Sequence, residues 1–107
     1  MDKRRIVEEA LADLEVEQVN IMDGLDSAIA GIGCQYGKPT LVVYDEELVI
    51  KTLVDEHDMK LDEAWEYYNF NIKHAYYGEG TPIIMQSMDT MEEHFGFNNA
   101  DILTEEV

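Results

Sequence analysis

The stretch LDEAWEYYNFNIKHAYY, residues 61–77, decides the fold. Leu61, Ala64, Trp65, Tyr68, Ile72 and Ala75 recur at the three- and four-residue spacing that places them on one face of a helix. Tyr67, Phe70, His74 and Tyr77 recur at the same spacing and form a second, largely aromatic face. Only Asp62, Glu66, Asn69 and Lys73 make a clearly polar strip. A helix that is apolar around most of its circumference is buried on more than one side. The pattern therefore predicts a central helix over 61–77 that the rest of the chain covers. Gly78 supplies a left-handed stop, and Pro82 prevents a restart before an apolar strand at Ile83 to Gln86.

On the N-terminal side, Asp45 stands where a helix cap belongs, with Glu46 and Glu47 in the favourable first turn. Leu48, Val49, Thr52 and Leu53 give that helix its buried face. It ends near Glu56, and His57-Asp58-Met59 turns the chain into the central helix. Lys60 is a poor cap, so the helix start leans on Asp58 or Asp62. Further back, Ala28 to Gln35 and Leu41 to Tyr44 are apolar runs separated by Tyr36-Gly37-Lys38-Pro39, which reads as a β-hairpin. Gly31 and Gly33 imply a bulge or a close backbone approach in its first strand. A short helix over Ala28 to Cys34 is the alternative.

From Lys3 to Leu14, the stripe Ile6, Val7, Ala10, Leu11 and Leu14 predicts an amphipathic helix. Its end is open, because Val16 and Val19 fit the stripe poorly. Arg4–Glu8 and Arg5–Glu9 can pair at four-residue spacing in the weaker, base-first orientation. Ser87 or Asp89 caps a last short helix through Phe95, stopped by Gly96. The expected fold is α+β: a small antiparallel sheet, made of the hairpin plus a third strand, packed with three to four helices. One domain spans 1–97, and 98–107 is a frayed acidic tail.

Charge bounds the function. Twenty-four Asp and Glu stand against seven Lys and Arg, a formal net charge of −17 over 107 residues. Such a surface repels nucleic-acid backbones and anionic membranes and attracts basic proteins. Solubility alone is the bland explanation of the same charge. Cys34 is the single cysteine, which excludes an internal disulfide and a thiolate zinc site, and its apolar neighbours place it in the core. With no signal peptide and no apolar run of spanning length, the expectation is a cytoplasmic protein.

The carboxylates are unevenly spread. Nine Asp and Glu against two Lys lie between Asp45 and Glu66, and six with no Lys or Arg lie from Asp89 onward. Asp55, Glu56, Asp58, Asp62, Glu63, Glu66, Glu92 and Glu93 are the candidate partner-binding residues. Spaced carboxylates can imitate the phosphate pattern a basic groove expects, although a solvated helix face is the commoner origin of any single run. Chemistry fares worse. His57, His74 and His94 form no metal-ligand pair, and the acidic runs lack calcium-loop spacing. Gly78 to Pro82 is neither a P-loop nor a dinucleotide fingerprint. His74 reads as a packing residue on the aromatic face. Asn71 reads as a structural amide bonded to nearby backbone. The aromatic group Tyr67, Phe70, Tyr76 and Tyr77 reads as core, with tyrosines at its margin free for an interface. No catalytic, cofactor or metal residue is expected.

Phe70-Asn71 and Ala75-Tyr76-Tyr77-Gly78-Glu79-Gly80-Thr81-Pro82 carry a resemblance that extends back through Asp26 to Gly31, Val43-Tyr44-Asp45 and Glu63-Ala64. Over roughly residues 23–85 the chain resembles a group of small proteins of tailed phages and prophages without an established activity. Lys60 departs from the Ser or Thr cap usual there, and His74 from a small residue. The resemblance implies an origin rather than a mechanism. Together with the charge it leads to one expectation. The protein is not an enzyme and binds a protein partner with a basic surface, inhibiting a host-defence or nucleic-acid-handling factor by nucleic-acid mimicry. The alternative is a phage assembly accessory, open to homo-oligomer formation, whose acidity serves solubility. A small enzyme or ligand-binding domain using the Gly78–Pro82 turn and Asn71 comes third.

Overall fold

The computed structural model describes residues 2–95, with side chains described except at positions 90 and 93–95. In chain order the elements are α1 (Lys3–Asp13), a 3-10 turn (Asp26–Ala28), β1 (Ile29–Gly33), β2 (Leu41–Asp45), α2 (Glu46–Asp55), α3 (Leu61–Asn71), β3 (Ile83–Met85) and α4 (Met88–Phe95). The fold is α+β. β2 is the central strand of three. It pairs antiparallel with β1 and parallel with β3. The sheet is therefore mixed, which corrects the expectation of an antiparallel one. β2 and β3 are joined through α2 and α3, and a connection through helices lets the second strand run parallel to the first.

The hairpin holds, with a shift of register between Ile29 and Gly31 where the glycines implied a bulge. The strand reading of this stretch stands over the short-helix alternative, although a 3-10 turn precedes it. Val42 and Tyr44 point from β2 into a core completed by Leu25, Ala28, Ile29, Val49, Ile50 and Leu53. Val7 and Leu11 of α1 and Ala64, Tyr68 and Ile72 of the α3 segment close it. Asp45 caps α2 as expected: its Oδ1 accepts from the Leu48 N–H at 3.2 Å. Since Asp45 is also the last residue of β2, no loop separates strand from helix.

Several expectations are corrected here. α3 stops at Asn71, not Tyr77, because the N–H groups of Ile72 and Lys73 both donate to the Tyr68 carbonyl, at 3.0 and 2.9 Å, and the ladder ends. The Asn71 amide donates to the Tyr67 carbonyl at 3.1 Å, the local backbone bond expected of it. Gly78 does adopt a left-handed φ of 97°, but in a separate turn fixed by Thr81, whose Oγ1 accepts from the Tyr77 N–H and donates to the Gly78 carbonyl. Cys34 is exposed at the end of the hairpin strand, not buried. The second face of α3 is not covered: Phe70 and Tyr67 are exposed, and so are Tyr76, Tyr77 and His74 beyond the helix. The positions of Gly96 and of the 98–107 tail lie outside the described residues.

α1 ends at Asp13, and Leu14 is its cap. The Glu15 N–H donates to the Ala12 carbonyl and the Val16 N–H to the Leu11 carbonyl, both at 3.0 Å, with Glu15 at φ 57°. This is a Schellman stop built on a residue other than glycine. It brings Val16 back against the core, which explains why Val16 and Val19 are partly buried without belonging to the helix. Arg4–Glu8 and Arg5–Glu9 both form, at 3.9 and 3.2 Å, and Arg4 also reaches Asp23 at 3.1 Å.

Glu15→Gly should raise stability by about 1 kcal/mol in urea denaturation, since it relieves the left-handed strain and removes a carboxylate from the negative end of α1. Gly80→Ala should do the opposite. The Asn20 N–H donates to the Gly80 carbonyl at 3.0 Å, and a Cβ on Gly80 would fall on the Gln18 carbonyl oxygen. Backbone cannot step aside as a side chain can, so a loss of about 1–3 kcal/mol is expected in the same measurement.

Candidate functional site

The phase of α3 is set by what it buries. Ala64, Tyr68 and the following Ile72 lie four residues apart and face the core, with Trp65 partly buried beside them. Trp65 meets Tyr68 edge-to-face at 5.8 Å between ring centroids. Glu63, Glu66, Tyr67 and Phe70 share the opposite side of the helix, at spacings of three, one and three. Phe70 is 80% exposed and Tyr67 44%. An aromatic side chain directed at solvent on the same helix face as two carboxylates is not a core residue displaced. It is a surface of its own.

This face adjoins an acidic corner. Asp55 and Glu56 end α2, Asp58 lies in the turn, and Asp62, Glu63 and Glu66 run along α3; all six are exposed. The structure thus brings six of the eight candidate carboxylates onto adjoining ends of two packed helices. Lys51 pairs with Asp55 at 3.5 Å, while Glu56, Asp58 and Glu66 make no ion pair among the described residues. Asp62 and Glu63 also serve the helix. Asp62 Oδ1 accepts from the Glu63 N–H at 2.9 Å, and Glu63 Oε1 accepts from the Lys60 N–H at 3.1 Å, which supplies the start that Lys60 itself cannot cap. Glu92 is exposed on a different element, α4, and the side chain of Glu93 lies outside the described ones.

Beside Tyr67 opens a groove of about 300 Å³ between the 20–25 segment and the end of α3. Its floor includes Leu25, Leu53 and Ile72, and its rim includes Asn20, His57 and Tyr77. His57 Nε2 lies 2.9 Å from the Gly24 carbonyl oxygen, so this nitrogen carries the proton. Gly24, at φ 81°, lets the ring approach; a Cβ there would lie 3.1 Å from it. His57 holds a loop in place and presents no acid–base partner.

A second polar cluster lies behind the helix. Glu46 is 4% exposed, and its Oε2 accepts from the Tyr68 hydroxyl at 2.5 Å while its Oε1 accepts from Gln86 Nε2 at 3.2 Å. Burial, and then the bond to Glu46, pushes the Tyr68 phenol far above its ordinary range. Burial likewise raises Tyr44, whose hydroxyl accepts from the Met22 N–H at 2.8 Å. Sequence reasoning assigned Glu46 only to the first turn of α2 and missed its burial. No local signal marks it, because its partners lie 22 and 40 residues away. Sequence reasoning placed Phe70 in the core, although a signal for its exposure was present: Glu63, Glu66, Tyr67 and Phe70 repeat at helical spacing, and carboxylates sharing an aromatic stripe argue for solvent.

Among the described residues no three His, Cys, Asp or Glu side chains gather to hold a metal ion, and no helix is long and apolar enough to cross a membrane. Comparison with protein-family models, with curated proteins and with solved structures finds no match to the chain.

Tyr68 and Tyr44 give stability a pH dependence. Their phenols titrate near about 10 when unfolded and higher when folded, so their contribution is whole below about pH 10 and is lost as pH rises beyond it. The melting temperature should be level from about pH 8 to about pH 9.5 and then fall, with a shallower fall in Tyr68→Phe. An equal fall in both proteins would mean that Tyr68 is not held neutral.

Proposed function

We propose that the protein is a non-enzymatic binding module that docks on a basic protein surface through the solvent face of its aromatic-rich helix α3. The observation that carries this reading is Phe70, 80% exposed on the same face of α3 as Glu63 and Glu66. Binding energy at protein interfaces concentrates in a few desolvated aromatic anchors, and polar rims exclude water around them. Charged rims steer encounter and select partners of opposite sign. Phe70 and Tyr67 are the anchors here, and Asp55, Glu56, Asp58, Asp62, Glu63 and Glu66 form a charged flank toward the start of the helix.

The partner this arrangement suits is a host-defence or nucleic-acid-handling factor whose basic surface ordinarily holds a nucleic-acid backbone. The resemblance to phage proteins favours that class and a site of action in the host cytoplasm. A net charge of −17 also opposes association of two copies through this face and argues against direct nucleic-acid binding. The exposed aromatics lend some weight to the second reading, an assembly accessory with an apolar contact.

Salt separates the two. The tagged protein is used to capture partners from a bacterial lysate, and association kinetics are then measured with the captured protein. Between about 0.05 and 0.5 M salt the on-rate should fall about tenfold or more, and DNA or RNA should compete. Charge reversal at Asp58, Asp62 and Glu66 should slow association, while Phe70→Ala should mainly speed dissociation. A salt-insensitive on-rate without competition would leave the assembly reading.

A further inference from the structure

Glu46 is the only buried carboxylate among the described residues, and it also lines an open cavity of about 420 Å³ between the segment after α3 and β3. A carboxylate offers about four lone-pair positions. Two are taken, by the Tyr68 hydroxyl and the Gln86 amide, and both donors are neutral. The cation nearest to it, Lys73, stands off: its Nζ is 3.9 Å from Oε2, beyond hydrogen-bond distance, and its side chain is 40% exposed. A buried anion whose hydrogen-bond donors are both neutral and whose one counter-charge stands 3.9 Å away is only partly compensated, and favours a cation brought into contact.

We propose that the cavity over Glu46 binds a small primary ammonium ligand, whose charged nitrogen displaces Lys73 and becomes the third donor to the carboxylate. The chemistry of the site selects this class. A guanidinium binds a carboxylate best in a planar fork across both oxygens, and here a protein donor already occupies a position on each, which leaves the fork less room than a single ammonium needs. A divalent metal needs several oxygen or nitrogen ligands, and among His, Cys, Asp and Glu the lining offers only Glu46 and His74. A quaternary ammonium has no N–H to give. Ile72, Pro82 and Ile84 supply an apolar wall for a short aliphatic stem. Lys73 itself shows the fit, an ammonium on such a stem at the edge of the site. None of the cavity's lining residues belongs to the Glu63–Phe70 face, so this site stands or falls apart from the docking function.

The test is an amide chemical-shift titration with propylammonium, alongside 1-propanol and propionate as neutral and anionic controls. Propylammonium should shift Gln86, Thr81 and Lys73, and 1-propanol and propionate should not. Lys73→Met removes the built-in competitor and should tighten binding about tenfold. Glu46→Gln, if it folds, should abolish it. If that variant does not fold, the Lys73→Met comparison decides alone. Equal shifts with 1-propanol, no response to propylammonium, or unchanged or weaker binding in Lys73→Met would overturn the proposal.

Discussion

A carboxylate placed out of water must be met by donors, and most of this fold's arrangement follows from meeting the one on Glu46. Asp45 closes β2 and caps α2 in the same residue, so Glu46 enters the interior at a fixed point with no loop to adjust it. The donors then have to come from elsewhere in the chain. Tyr68 brings α3, and Gln86 brings the segment that leaves β3. Removing one partner from such a group costs far more than the bond contributes, because an unmet buried charge remains. The bond is therefore better regarded as a register pin between α2, α3 and the third strand than as a source of stability. The area buried by Tyr44, Val42, Val49 and Leu53 supplies that.

The pin has a consequence on the opposite surface. Successive residues on a helix turn by about 100°, so two positions apart face nearly opposite ways. With Tyr68 held inward by Glu46, Phe70 is turned out, and Glu63, Glu66 and Tyr67 follow it. The exposed aromatic face is thus fixed by a bond on the other side of the same helix. A docking surface on a rigid element whose rotation is locked loses little order on binding, which is the condition under which a few anchors suffice.

Elements whose signals are local were legible in the sequence. The Asp45 cap, the turn at Tyr36 to Pro39, the glycine bulge, the Arg4 and Arg5 ion pairs and the Asn71 amide are each settled by residues within a few positions of one another. What escaped was tertiary. Apolar periodicity reaches Tyr77, but the helix ends at Asn71, where Ile72 turns into the core and Lys73 toward Glu46. Cys34 sits in an apolar run, yet the hairpin carries it past the sheet to solvent. The direction of β3 depends on the path through two helices, which no spacing within β3 records. At the candidate site, the concentration of carboxylates from Asp55 to Glu66 was readable, while the aromatic centre was taken for core because hydrophobicity alone does not say which face of a helix is covered.

The acidic corner can be weighed against the stability of the helices that carry it. Asp62 and Glu63 occupy the first turn of α3, where the helix dipole favours negative charge and where both accept backbone N–H bonds. Asp55 and Glu56 occupy the opposite situation, the C-terminal end of α2, where the dipole disfavours them and no base stands in the last turn. Lys51 relieves Asp55 across one turn. Glu56 has no such relief, and Asp58 adds a like charge close by while holding a left-handed φ of 58°. Helix stability therefore accounts for Asp62 and Glu63 and works against Glu56, while Asp58, in a left-handed turn that Asp tolerates, lets the Met59 N–H donate to the Leu53 carbonyl at 3.1 Å. Residues that break a local rule without structural return are those whose presence calls for a reason outside folding. On that ground the charge of Glu56, unlike that of the carboxylates with capping roles, is not explained by the helix that carries it.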